Sequence, residues 1–187
     1  MRTVTFLTSN AHKVAEATEA LRGTGVEIRQ VDLKMEEPQA DKVEDIARAC
    51  ALRGAMRLKV PVVVEDSGLF ISALNGFPGP YSSYVLGTIG IKGILLLMRG
   101  YRSRTARFES AVAYARSPKE AKVFKGIALG RISRAARGRS GFGFDPIFVA
   151  DGCRDTFAEI GLREKGVLSH RGKAFRAFGR WMAKSGS

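Results

Sequence analysis

A chain of 187 residues suits one domain with a substantial core, and its hydrophobic fraction of 45% and charged fraction of 26% are those of an ordinary soluble globular protein. Cys50 and Cys153 form no CxxC pair and have no metal-ligand spacing, so a disulfide framework and a thiolate metal site are excluded and a reduced, cytoplasmic setting is expected. The net charge of +13 admits a polyanionic partner (nucleic acid or a phosphorylated substrate) or a solvated basic surface.

Thr3 to Leu7 alternates as a strand, and Ala11 to Leu21 carries Val14, Ala17, Thr18 and Leu21 at helical spacing. The N-terminus turns polar at Thr8-Ser9-Asn10, too early for a signal peptide's apolar region, so no export is expected. Gly23 and Gly25 end the first helix, and Val26 to Val31 is a second strand. Lys34 to Lys42 reads as a polar loop, and Glu44 to Leu58 as a helix facing inward with Ile46, Ala47, Cys50, Ala51, Ala55 and Leu58. A buried strand, Val60 to Val64, leads into Glu65-Asp66, which places the acid pair at a strand end. A glycine- and proline-rich loop, Leu74 to Tyr81, precedes a helix through Ile94 to Met98, which is far too short to cross a membrane. From Arg107 two long alternating strands follow, joined at Ser117-Pro118-Lys119-Glu120, with Phe108, Ser110, Val112 and Tyr114 on one face. A glycine-rich loop from Gly138 to Asp145 and a final amphipathic helix, Arg171 to Met182, complete the order. The succession predicts one α/β domain: a mixed β-sheet flanked by helices, bent into two lobes with a cleft between them.

Four constellations carry chemistry. At Thr8-Ser9-Asn10-Ala11-His12-Lys13, Ser9 or Asn10 can cap the helix, while His12 and Lys13 in its first turn oppose the dipole. An anion at the helix N-terminus resolves that conflict. Ser169-His170-Arg171, with Lys165 and Lys173 nearby, repeats the pattern at the last helix. Glu65 and Asp66, with Glu36 or Glu37 upstream, form an acidic set suited to Mg²⁺, which typically binds one or two carboxylates plus substrate phosphates. Neighbours in a strand point to opposite sides, so one acid would hold the metal while the other positions or deprotonates water. Ser67-Gly68 directly behind them allows close backbone approach. In Gly141-Phe142-Gly143-Phe144-Asp145-Pro146 an aromatic can stack on a nucleobase and Asp145 can accept hydrogen bonds from a base edge.

These motifs, with Leu74-Asn75-Gly76-Phe77-Pro78-Gly79-Pro80-Tyr81-Ser82 and Phe157-Ala158-Glu159 between them, resemble the inosine triphosphate pyrophosphatase family almost end to end. The resemblance implies hydrolysis of non-standard purine nucleoside triphosphates (ITP, dITP and XTP) to the monophosphate and pyrophosphate. It further implies Mg²⁺ as cofactor and a homodimer, with no need of nucleic acid or membrane. Residue by residue, it implies that Thr8, Ser9, Asn10 and Lys13 hold the triphosphate, Glu37 and Asp66 the metal, and that Asp66 is the essential acid. Ser67, Gly68, Phe142, Gly143, Phe144, Asp145, Lys165, His170 and Arg171 would line the substrate pocket, with Arg171 and Lys165 reading a 6-oxo group. Two positions depart from the family pattern. Where many members carry a helix lysine this chain offers Arg48, Cys50, Leu52 and Arg53, and Ser83 stands where Lys or Arg is common. The competing readings are a pyrophosphatase for other modified or pyrimidine nucleotides, and a non-catalytic nucleic-acid-binding module motivated by the basic stretch from Arg99 to Arg139.

Overall fold

The computed structural model describes residues 2–33 and 35–185. Within them the chain runs β1 (Arg2–Leu7), α1 (Ala11–Leu21), β2 (Val26–Val31), α2 (Val43–Leu58), β3 (Val62–Ile71), β4 (Pro78–Gly79), α3 (Ser82–Thr88), α4 (Gly90–Leu97), β5 (Thr105–Ser117), β6 (Glu120–Ile132), β7 (Phe148–Ala150), α5 (Leu162–Leu168) and α6 (His170–Lys184). The described strands form one seven-stranded sheet in the order β2-β1-β3-β5-β6-β7, with β4 on a free stretch of β3. β1, β2 and β3 are parallel and the remaining pairings antiparallel, which is the expected mixed sheet.

Period-two alternation sorts the strand side chains between layers. Val4, Phe6 and Val63 pack with Ala17, Leu21, Phe175 and Phe178 of α1 and α6. Val62, Val64 and Phe70 face the other way, onto Ile46, Ala47, Cys50 and Ala51 of α2. Further along the sheet a third cluster gathers Leu69, Ile71, Ile94, Met98, Phe108, Phe148 and Phe157. β3 therefore passes from the α1–α6 cluster into the third one on one face while Val62, Val64 and Phe70 stay with the α2 cluster on the other, and the polar run Glu65-Asp66-Ser67-Gly68 interrupts its apolar residues. The two lobes are the packed regions on either side of it.

The acid pair does not end its strand. β3 stays in unbroken register with β5 from Val62 opposite Ala115 to Ile71 opposite Ala106. On its other edge β1 pairs only at Val62 and Val63, and β4 only at Leu69 and Phe70. The strand that ends at the site is β1, and the gap it leaves beside Glu65 to Gly68 is the cleft. The short helices α3 and α5, each of seven residues and too short for hydrophobic periodicity to distinguish from loop, are also absent from the expectation. At Gly126 of β6 an added Cβ would lie 2.0 Å from the His170 carbonyl oxygen, so the absence of a side chain lets the start of α6 rest directly on the sheet.

Candidate active site

The first wall of the cleft is the β1–α1 junction. Asn10, rather than Ser9, caps α1: its Oδ1 accepts from the backbone N–H groups of His12 at 2.9 Å and Lys13 at 3.3 Å. Thr8 Oγ1 accepts from the Asn10 N–H at 3.1 Å and so fixes the capping residue. Lys13, which opposes the helix dipole, has an acid after all. Its Nζ lies 3.0 Å from Glu65 Oε2 and donates to the Glu65 carbonyl oxygen at 3.1 Å.

Glu65 and Asp66 occupy opposite faces of β3. Glu65 points to the α6 side, where Ser110 Oγ donates to Oε1 at 2.7 Å and Arg171 Nε stands 3.1 Å from the same oxygen. The Lys13 and Arg171 contacts are ion pairs rather than aligned hydrogen bonds. Burial alone would raise the Glu65 carboxyl, but Arg171, then Lys13 and the Ser110 hydroxyl, outweigh it and hold the group far below the usual carboxylate range. Asp66 points to the α2 side, and its Oδ2 is buried without a hydrogen-bond partner. Burial, opposed by Lys13 and reinforced by the charges of Glu65 and Glu37, pushes Asp66 up to about 7. One acid of the pair is spent on internal cations; the other is under-coordinated.

Arg171 joins this pair to a second buried network. Nη1 donates to Glu16 Oε2 at 2.8 Å and Nη2 to Ser67 Oγ at 2.7 Å. Glu16 Oε1 also accepts from Lys165 Nζ, which in turn donates to Asp145 Oδ2. Asp145 Oδ2 accepts from the Phe142 N–H at 2.7 Å as well, so Asp145, only 3% exposed, shapes the aromatic loop. Burial raises the Asp145 carboxyl above its ordinary value despite the Lys165 charge. The Phe142 ring lies over Lys165 Nζ at 5.1 Å and the Arg171 guanidinium at 5.2 Å, and stacks on His12 at 5.2 Å. His170 stacks on Phe108 at 4.5 Å; burial, then the Arg171 charge, pushes its imidazole well below the usual histidine range, and its Nδ1 is unpartnered.

Glu65, Asp66, Ser67, Asp145, Phe142, His170, Arg171 and the Thr8 to Asn10 turn with Lys13 line one cavity of about 710 Å³. A sequence model of the Ham1 family matches residues 4–181. The chain belongs to the Ham1 family. It is 49% identical over 178 residues to a dITP/XTP pyrophosphatase of Methanopyrus kandleri, covering 95% of each chain. It is 43% identical over 185 residues to a dITP/XTP pyrophosphatase of Hyperthermus butylicus, covering 99% of this chain and 97% of the relative. Among solved structures, a HAM1 protein from Coxiella burnetii superposes with a TM-score of 0.87 at 28% identity, covering 98% of this chain and all of that one. A nucleoside-triphosphatase / dITP/XTP pyrophosphatase from Mycobacterium abscessus does so with a TM-score of 0.72 at 34% identity, covering 94% and 98%. The Ham1 fold thus accounts for the two-lobed architecture, and the family resemblance drawn from the motifs is borne out.

Within this Ham1 cavity the structure collects Thr8, Ser9, Asn10, Lys13, Glu37, Asp66, Ser67, Gly68, Phe142, Gly143, Phe144, Asp145, His170 and Arg171 on one lining. Lys165 is not on it; the residue is 2% exposed and lies beneath Phe142. The close approach that Gly68 permits is by protein: an added Cβ would lie 2.3 Å from the Gly79 carbonyl oxygen. Neither Arg48, which donates to the Ala121 carbonyl, nor Arg53, which donates to that of Glu36, reaches the lining, whereas Cys50 and Ser83 do. Sequence reasoning missed Glu16, because a glutamate inside an amphipathic helix ordinarily faces water. The available signal was its position one turn after Lys13 and beside Ala17 and Ala20, on the helix's buried face.

For a divalent cation, the described residues contain no cluster of three or more His, Cys, Asp or Glu able to hold a metal by themselves. The unpartnered Asp66 Oδ2, with Glu37 near enough to raise its carboxyl, fits the other mode, in which two carboxylates are completed by substrate phosphates and water.

Proposed function

We propose that this protein hydrolyses non-standard purine nucleoside triphosphates, dITP, ITP and XTP, to the nucleoside monophosphate and pyrophosphate, with Mg²⁺ as cofactor. The observation that carries the reading is the buried, unpartnered Oδ2 of Asp66 in the same cavity as a capped helix N-terminus and an aromatic loop. The names of the relatives from Methanopyrus kandleri and Hyperthermus butylicus support the substrate class.

In this reading Thr8, Ser9 and Asn10, with Lys13, bind the triphosphate at the positive end of α1. Asp66 and Glu37 would hold Mg²⁺, which when bound supplies Lewis-acid neutralisation of the phosphate charge. Asp66, whose proton affinity lies near neutrality, orients or deprotonates the attacking water. Glu65 is not available for that role, since three partners hold it ionised and in place; it positions Lys13 and Arg171. Phe142 lines the base end of the cavity, with its ring stacked on His12 and set against the Lys165 and Arg171 cations. Arg171, fixed by Glu16 and Ser67, presents a donor edge that suits a 6-oxo group and leaves adenine's amine unpaired. Lys165 acts from below, by setting Asp145 and hence the Phe142 loop. The expected state is a cytoplasmic homodimer, for which sedimentation velocity is the check.

The deciding experiment is product analysis with purified protein and Mg²⁺. Pyrophosphate release strongly favouring dITP, ITP and XTP over ATP and GTP is expected. Orthophosphate release, equal turnover of ATP, or full activity in excess chelator would overturn the reaction, the selectivity or the metal requirement respectively.

A further inference from the structure

The cations of the active site do not carry the surplus charge of this chain, because Lys13, Lys165 and Arg171 are all paired with internal acids. The surplus lies elsewhere. At the end of the sheet where β5 begins and β6 ends, a second cavity of about 580 Å³ is lined by Lys92, Arg99, Arg102, Arg104 and Arg134 together with Tyr101. It shares no residue with the active-site lining and contains no acidic side chain. Among the described residues none of these five cations has a carboxylate within ion-pair distance.

Arg104 braces the site. It donates to the carbonyl oxygens of Met98 at 3.2 Å, Ile132 at 2.7 Å and Ser133 at 2.8 Å, tying the end of α4 to the loop after β6. Its charge nonetheless remains, beside that of Arg134, and like charges held together without an acid leave a concentrated positive potential. Lys92, Arg99, Arg102 and Arg134 are exposed around it. Tyr101, 47% exposed, and Leu96, 60% exposed, place an aromatic and an apolar surface among them. A single free phosphate would satisfy one or two of these cations. A chain of phosphates satisfies all of them, and an exposed ring between cations adds what such a chain needs if it carries bases: a stacking platform.

We propose that this cationic pocket is a second, non-catalytic binding site for single-stranded nucleic acid, in which Lys92, Arg99, Arg102 and Arg134 hold the phosphate backbone and Tyr101 stacks one base. The hydrolysis of free nucleotides does not depend on it.

The test is fluorescence anisotropy of the full chain with a labelled oligothymidylate of about a dozen nucleotides, across about 50 mM to about 200 mM salt. Engagement of four cations predicts a log–log salt slope of roughly −3, at about −0.7 per phosphate neutralised. The combined variant Lys92→Ala, Arg99→Ala, Arg102→Ala, Arg134→Ala should bind at least about tenfold more weakly and lose most of that slope, with dITP hydrolysis and melting temperature unchanged. Tyr101→Ala should weaken binding at every salt concentration while leaving the slope intact, because stacking releases no counterions. Should the combined variant melt early, Tyr101→Ala and the single variant Arg102→Ala carry the test. Absence of binding by the parent chain would overturn the proposal, as would a loss equally large in Arg116→Ala, Lys119→Ala at the opposite hairpin turn. Inorganic polyphosphate competing as well as the oligonucleotide, with Tyr101→Ala silent, would also overturn it by reducing the pocket to a simple anion site.

Discussion

Glu65 and Asp66 are consecutive in β3, yet Glu65 is held ionised by Arg171, Lys13 and Ser110 on one face while Asp66 is left with a buried, unpartnered oxygen on the other. A strand makes this division possible because successive side chains point apart. The internal cations stabilise Glu65 and so take it out of the chemistry. Asp66 keeps the coordination capacity that a metal or a water can use.

Asp66→Asn should therefore separate activity from stability. Hydrolysis of dITP is expected to fall by at least about a hundredfold, the usual scale for removing a general base. The melting temperature should hold or rise, since an ionised, under-coordinated carboxylate has been removed. Steady-state kinetics and calorimetry on the same preparation check both halves; a variant with parental turnover would refute the role given to Asp66.

Glu16→Gln should be among the most destabilising single-atom exchanges in the chain. Glu16 is the one acid shared by Lys165 and Arg171, and its loss leaves two buried cations short of a partner. Breaking buried pairs of this kind costs about 3–5 kcal/mol. Urea unfolding should register that loss, and a change below about 1 kcal/mol would mean that the network is not electrostatically coupled.

The pH dependence of stability carries both signs. Burial works against Glu16 as it does against Glu65, but Arg171 and Lys165 outweigh it, so both carboxyls are depressed in the folded chain. Their contribution is present above the ordinary carboxylate range and is lost as pH falls through it towards the folded values. Asp66 acts oppositely. With its proton affinity raised by burial to about 7, its contribution is fully present below the unfolded value and declines as pH rises to about 7. Urea unfolding in chelator across this range should show a decline in the parent that Asp66→Asn reduces to the part left by the raised Asp145, and a steep loss in both at more acid pH. Superimposable parent and variant curves would exclude the raised Asp66.

Gly68→Ala should damage fold and activity together. The new methyl would meet the backbone of Gly79, which cannot rotate aside as a side chain would. Overpacking of this kind costs about 1–3 kcal/mol, and the displacement falls on Ser67 and Asp66 directly. Unfolding and turnover measured together are the check; a neutral outcome would show that β4 can move away freely.

Much of this protein was legible from its amino-acid order. Ala11–Leu21 and Val26–Val31 were read to the residue, because their apolar periods are regular and Asn10, Gly23 and Gly25 punctuate them. The expected site residues were legible as motifs, and all but Lys165 reach one lining: Thr8 to Asn10 and His170 to Arg171 sit at element junctions, while Asp66, Ser67 and Gly68 lie on the stretch of β3 that β1 leaves bare. Where β3 ends was not legible: its last residues are held in the sheet by β5, some forty positions away, and local hydrophobicity stops at Val64. Nor could the order show that the basic starts of α1 and α6 are answered from inside, by Glu65 and Glu16, since a charge pairs with whatever the fold brings within a few ångströms. The sequence by itself determined the longer elements, the acid pair and the aromatic loop. Only the tertiary structure decided which acid is spent on neutralising cations and which stays open, because that choice rests on strand alternation and on contacts between residues as distant as Glu16 and Arg171.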